Sequence, residues 1–142
     1  MNDIERLLAI EAIKQLKARY FRCLDTKDWD GYAATYAEDA VLDTTSTQGG
    51  AVVHGSAAIA AHVRRHVDHV VTVHHGHTPE IEVLSETTAR GIWAMEDVLC
   101  WPAGGPLHTL VGYGHYHEEY VKLSGRWLIA HCRLTRLRVD RS

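Results

Sequence analysis

The chain has 142 residues, 46% of them hydrophobic and 23% charged, which suits one domain with a sizeable core and excludes disorder, a fibrous repeat or a multidomain machine. Lys and Arg total 15 against 18 Asp and Glu, for a formal charge of −3, so no fixed basic field is available to hold nucleic acid. Histidine is the outlying count at 11, equal to arginine, and marks where acid–base or metal chemistry could reside.

The N-terminal Met1-Asn2-Asp3-Ile4-Glu5 carries neither a cationic region nor an apolar core, and no apolar run approaches ~18 residues. Neither secretion nor membrane spanning is expected, and the chain reads as cytoplasmic. Ile4, Leu7, Leu8, Ile13, Leu16, Tyr20 and Leu24 form one helical stripe of about six turns, opened by a capping box of Asn2 and Glu5. A shorter helix follows Asp28 as N-cap, with Trp29, Tyr32 and Tyr36 on one side, and ends where Ala40-Val41-Leu42 begins a strand. After the Gly49-Gly50 loop, Ser56 caps a third helix from Ala57 to about Val67, with Ile59, Val63 and Val67 inward.

From His69 onward the pattern becomes long strands: Val70 to Leu84, Thr87 to Trp101, Leu110 to Leu123 and Arg126 to Val139. Ser85-Glu86, Pro102 to Pro106 and Ser124-Gly125 separate them. Pro79 cannot donate to a ladder, so it implies a bulge or an edge position. Helices followed by antiparallel strands make a single α+β domain, residues 1–142, with a curved sheet packed on one face by the helices. Cys23, Cys100 and Cys132 are an odd, dispersed set in apolar stretches, as expected of reduced core thiols.

Such a sheet leaves space beneath the helices, and several polar residues are candidates to face it. Asp25 at the end of the first helix reads equally as a solvated turn residue or as a member of a site. Tyr20 lies about 140° around the helix from Asp25 and reads as a core aromatic unless the helix ends or bends between them. In His74-His75-Gly76-His77, strand alternation sends His74 to one face and His75 and His77 to the other. The strand alone supplies at most two ligands, so no metal site is expected; His115 and His117 share a face of a later strand. Trp93, Met95, Asp97, Leu99 and Trp101 line one face of another strand, where Asp97 must be paired or perturbed. Leu128, Ala130, Cys132, Leu134 and Arg136 share a face of the last, and Arg136 is a fitting partner for a carboxylate or for an anionic substrate group. No nucleophile elbow, phosphate-binding loop, dinucleotide fingerprint or zinc-protease motif occurs, which leaves acid–base chemistry.

Three stretches resemble the bacterial bile acid 7α-dehydratases: Ile10 through Asp25 and on to Trp29-Asp30, His74 through Ile81, and Ser85 through Asp97. More distantly, Tyr20-x4-Asp25-x-Lys27-x-Trp29-Asp30 and the strand His look like scytalone dehydratase and other SnoaL-like proteins of the nuclear-transport-factor-2-like superfamily. The resemblance implies a cone-shaped α+β barrel, a homotrimer, an elongated apolar pocket, and no metal or organic cofactor. It places the catalytic Tyr, Asp and His on Tyr20, Asp25 and His74, and the substrate-binding positions on Trp93, Asp97, Tyr116 and Arg136. The implied activity is loss of water from a small apolar, hydroxylated, carbonyl-activated substrate such as a 7-hydroxy-3-oxo steroid or bile acid derivative. An isomerase, a cyclase or a non-catalytic carrier of an apolar ligand are the alternatives on this scaffold. One departure is the segment Trp101-Pro-Ala-Gly-Gly-Pro106, which lacks a pocket tyrosine of the bile acid enzymes. Another is Trp93, which stands where scytalone dehydratase carries a second histidine.

Overall fold

In the computed structural model, which describes residues 1–106 and 108–142, the chain runs α1 (Asp3–Asp25), α2 (Trp29–Ala33), β1 (Tyr36–Asp43), β2 (Val52–His54), α3 (Ser56–Val67), β3 (Val71–Val83), β4 (Thr88–Cys100), β5 (Thr109–Leu123) and β6 (Arg126–Arg141). The strands form one sheet in the order β2-β1-β6-β5-β4-β3. Only the β1–β6 pair is parallel among the described strands. The helices cover one face of this curved, open sheet, which is the expected α+β architecture, and the core lies between α1 and the inward residues of β3 to β6.

The Asn2/Glu5 capping box is formed at both of its hydrogen bonds, 2.9 and 2.8 Å. The stripe it opens is buried only from Ala9 onward: Ile13, Leu16, Tyr20 and Leu24 are in the core, whereas Ile4, Leu7 and Leu8 are exposed. The first turns are held to the sheet by a polar contact, Arg6 donating to the Val83 carbonyl at 3.0 Å, and Leu8 borders an open concavity with Glu86, Lys122 and Trp127. Tyr36 also differs from expectation: α2 stops at Ala33, and Tyr36 opens β1 by pairing with Ile129 of β6. It still lies beside Tyr32, with hydroxyls 3.1 Å apart. The N-cap of α3 is Gly55 at φ 95°, not Ser56, which is the first helical residue.

Pro79 meets both of its expectations. It sits on the edge strand β3, where the register slips between His77 and Glu80 and Thr78 takes φ 39°. A second slip corrects the reading of β6. Tyr120 pairs with Ile129 while Glu119 pairs with His131, so Ala130 is an extra residue. Upstream of it the alternation inverts, and Trp127 and Ile129 face the core in place of Leu128 and Ala130. Cys132, Leu134 and Arg136 keep their expected face. Cys23 and Cys132 are buried free thiols, and Cys100 is half-buried.

Candidate active site

Helix α1 terminates at Asp25, whose carboxylate therefore leaves the helix surface and meets β3. The turn that makes this possible has Thr26 as C-cap, its N–H returning to the Arg22 carbonyl, and Lys27 in the left-handed region at φ 62°. Asp25 Oδ2 accepts the backbone N–H of His74 at 2.8 Å, and Oδ1 accepts the Thr72 hydroxyl at 2.9 Å. His74 Nδ1 lies 2.7 Å from the same Oδ1. A carboxylate can only accept, so Nδ1 carries the proton and the Nε2 lone pair is free. Lys27 completes the chain by donating to the Thr72 hydroxyl at 2.8 Å.

Burial of Asp25 by itself would raise its pKa, but the hydrogen bonds and charge of His74, followed by Thr72, outweigh it and hold the carboxyl below its ordinary value. The imidazole side chain is 10% exposed and the carboxylate 21%, so the dyad reaches the surface narrowly. That is the geometry of an oriented base: one ring nitrogen is fixed by a permanent anion, and the other faces the interior.

Opposite His74 in the β3–β4 ladder stands Asp97, with Oδ2 3.9 Å from Nε2. Both oxygens of Asp97 are held by Arg136 in a bidentate pair, 2.7 and 3.0 Å. Arg136 reaches it diagonally across β5 over Gly112, where any Cβ would strike the guanidinium and the carboxylate. The β1–β2 loop closes over the pair through Thr47, whose hydroxyl accepts from Arg136 Nε at 3.3 Å.

The aromatic candidates form a wall between α1 and the sheet. Tyr20 is 4% exposed, with its ring 5.2 Å from that of Tyr32 and 6.0 Å from that of Tyr116. Burial, reinforced by the neighbouring tyrosines, pushes its pKa well up and keeps it a neutral phenol, a donor rather than a base. Burial and then the Asp97 carboxylate do the same to Tyr116. Trp93 is on the same face four residues from Asp97, about 13 Å along the strand, and it gives its indole N–H to the Tyr120 hydroxyl at 2.9 Å. The structure thus brings Asp25, His74, Asp97 and Arg136 together, whereas Tyr20 packs on Tyr116, and Tyr116 stands opposite Trp93 in the β4–β5 ladder, four residues along β5 from the Asp97 partner Gly112. Two concavities of about 700 and 490 Å³ lie elsewhere, one on the outer sheet face between Glu80, Arg90 and Arg133, the other along the N-terminal half of α1.

Sequence reasoning missed the groups behind that wall. Lys17 and Glu118 form an ion pair at 2.9 Å with both side chains 0% exposed. The ammonium lies 3.6 Å from the centroid of the Tyr20 ring and 3.8 Å from that of Tyr116. Glu118 also accepts the Tyr120 hydroxyl at 2.8 Å. A signal existed for Lys17, which follows Ile13 by four residues and precedes Tyr20 by three, inside the apolar stripe. Thr72 and Lys27 were missed as well, and Thr72 was legible only as the residue one alternation before His74.

The SnoaL-like domain family matches residues 5–133. The chain belongs to this SnoaL-like family. Among solved structures, it is similar to Rv3472, a protein of unknown function from Mycobacterium tuberculosis, at 27% identity over 97% of this chain and 78% of that one, with a TM-score of 0.82. It also matches a protein provisionally named a scytalone dehydratase from Novosphingobium aromaticivorans, at 22% identity over 99% and 92% of the two chains and a TM-score of 0.87. A third is the type 3 hexachlorocyclohexane dehydrochlorinase LinA of Novosphingobium barchaimii, 18% identical over 99% and 94%, TM-score 0.82. At such identities the last two establish a shared fold. SnoaL-like membership agrees with the branch indicated by the sequence, and no helix among the described residues is long and apolar enough to cross a membrane.

Proposed function

We propose that this SnoaL-like protein is a cofactor-independent lyase that removes water from an apolar substrate bearing a hydroxyl and an activating carbonyl. The observation that carries the reading is the 2.7 Å contact between Asp25 and His74 Nδ1, which leaves Nε2 as a base aimed inward. A ligand carrier would have no use for that pairing. The names of two fold relatives, a dehydratase and a dehydrochlorinase, both denote elimination of H–X, which supports the same reaction class.

In this mechanism His74 Nε2 takes the proton from a carbon made acidic by the carbonyl, directly or through a conjugated double bond. The C–H electron pair moves toward the carbonyl oxygen, which becomes an enolate and accepts a hydrogen bond from the Tyr20 phenol. Asp25 holds the imidazole in the required tautomer and stabilises the imidazolium without itself taking the proton. When the enolate re-forms its carbonyl, the carbon–oxygen bond to the hydroxyl breaks, and hydroxide leaves with the proton returned by His74, as water. Asp97 is neutralised by Arg136, so its negative charge does not oppose the enolate, and Arg136 and Tyr116 are assigned to substrate binding on the strength of the dehydratase resemblance. A 7-hydroxy-3-oxo steroid is the substrate class that the bile acid dehydratase resemblance favours.

Incubation with a panel of 7-hydroxy-3-oxo steroids and smaller β-hydroxy ketones, read by mass spectrometry, tests this proposal. The expected product is lighter than its substrate by one water. A product of unchanged mass with a moved double bond would make the protein an isomerase using the same dyad, and binding without turnover would make it a carrier.

A further inference from the structure

Strand alternation assigns only His75 and His77 to the outer face of β3, which is two potential ligands. The ladder adds a third. Glu96 is the cross-strand partner of His75 in the β3–β4 register, so its side chain rises on the same outer face. His75 Nδ1 lies 3.2 Å and His77 Nε2 3.8 Å from the same Glu96 oxygen, Oε1. The two ring nitrogens and the carboxylate oxygen all fall within 4.8 Å of one another.

Ligand atoms around a tetrahedral zinc ion with bonds near 2.0–2.1 Å are about 3.3 Å apart. The His75–Glu96 edge already has this length, and the remaining edges need contractions within reach of side-chain rotation. Both imidazoles are more than half exposed, at 56% and 55%, so their rotation meets no packing. Glu96 differs from Glu82 and Asp140 in having no cationic side chain paired with it among the described residues. Glu82 is paired with Arg90 at 2.6 Å and Asp140 with Arg138 at 3.0 Å, whereas Glu96 makes no contact with Lys or Arg among the described residues. Its only partners are two imidazoles, each of which is neutral once deprotonated. The flanking outward positions on β3 and β4 are Val73, Val98 and Ala94, and those on β5 are Tyr113, opposite Glu96, and His115, opposite Ala94, so none is a lysine or arginine.

We propose that His75, His77 and Glu96 form a binding site for a borderline divalent transition metal of the zinc class, on the sheet face opposite the His74 dyad. Two imidazoles and one carboxylate suit zinc and its neighbours over magnesium or calcium, which favour all-oxygen sets. Three protein ligands leave at least one coordination position for water or a donor from another molecule. The ion would tie β3, the free edge of the sheet, to β4 immediately before the Thr78-Pro79 bulge, where the ladder is interrupted. It would act as a clamp on the edge strand that carries His74 on its other side.

Calorimetric titration of the full chain with zinc chloride alone tests the site, with thermal unfolding as a second readout. The expected result is one saturable zinc per chain that raises the unfolding temperature. His77→Ala and Glu96→Gln should each weaken that event by more than about tenfold and remove the thermal shift, with circular dichroism unchanged because all three side chains are outward. His66→Ala and His115→Ala, which alter other histidine pairs, should leave it intact, and magnesium chloride should give no shift. Zinc binding that survives His77→Ala and Glu96→Gln undiminished, or that falls equally with His66→Ala, would overturn the assignment, as would an absence of saturable binding to the unaltered chain.

Discussion

Lys17–Glu118, which joins α1 to β5, and Asp97–Arg136, which spans β5 on the helix-covered face of the sheet, are finished differently. The first pair is wholly enclosed, its ammonium between two tyrosine rings and its carboxylate completed by Tyr120. The second is 6% and 12% exposed, sits beneath the loop that bears Thr47, and has the free nitrogen of His74 3.9 Å away. The enclosed pair has no polar capacity left over for a substrate, so its work is to hold Tyr20 and Tyr116 in place. The open pair keeps a neutralised anion and a set of donors next to the base. Interior charge thus serves as framework at one end and as part of the site at the other.

Breaking the enclosed pair should have the largest effect on stability. Lys17→Met leaves Glu118 as a buried, uncompensated anion, and a loss of about 3–5 kcal/mol is expected from the urea unfolding midpoint. Replacing both partners, as in Lys17→Met with Glu118→Gln, should recover much of that loss, because the isolated charge is what costs stability.

The same test on the open pair should give the reverse balance. Asp97→Ala frees an arginine that can reach water, so unfolding should weaken by only about 1–2 kcal/mol, while elimination falls about a hundredfold. If Asp97→Ala unfolded the protein as severely as Lys17→Met, the distinction between framework and site would fail.

Gly112→Ala offers a finer probe, since its methyl would press on Arg136 and Asp97 without touching the Lys17 network. A stability loss of about 1 kcal/mol with a roughly tenfold drop in turnover is expected, from overpacking against the open pair alone. The smallest effect concerns acid. The folded-state pKa of Asp25 is depressed, so its contribution to stability is fully present above the unfolded value of about 4 and is lost as pH falls through the lower folded value. Unfolding temperatures between pH 5 and 3 should therefore decline more for the native chain than for Asp25→Asn.

Sequence patterning made one half of this comparison legible and left the other hidden. Alternation put His74 on one face of its strand and His75 and His77 on the other, the family resemblance singled out His74, and the order of elements implied a sheet with helices on one face. Asp97 was recognisable as a charge in an apolar row that required a partner, and Arg136 as a candidate for it. Their meeting depended on Gly112 and on the inter-strand register, which no single strand encodes. Lys17 was obscured because its neighbours Ile13, Leu16 and Tyr20 define an apolar stripe, while its partner lies 101 residues away. The Ala130 bulge and the exposed Leu7 and Leu8 escaped for a related reason. Periodicity reports which face a residue takes, not where a ladder slips or where a helix face borders an open concavity.

In the proposed mechanism Asp25 and His74 act as one unit, and a double-mutant cycle on turnover measures that directly. With a substrate from the mass screen, His74→Ala and Asp25→Asn should each reduce kcat by at least about a hundredfold with the fold retained, and the double variant should be no slower than His74→Ala alone. Losses that multiply in the double variant, or near-full turnover in His74→Ala, would contradict it.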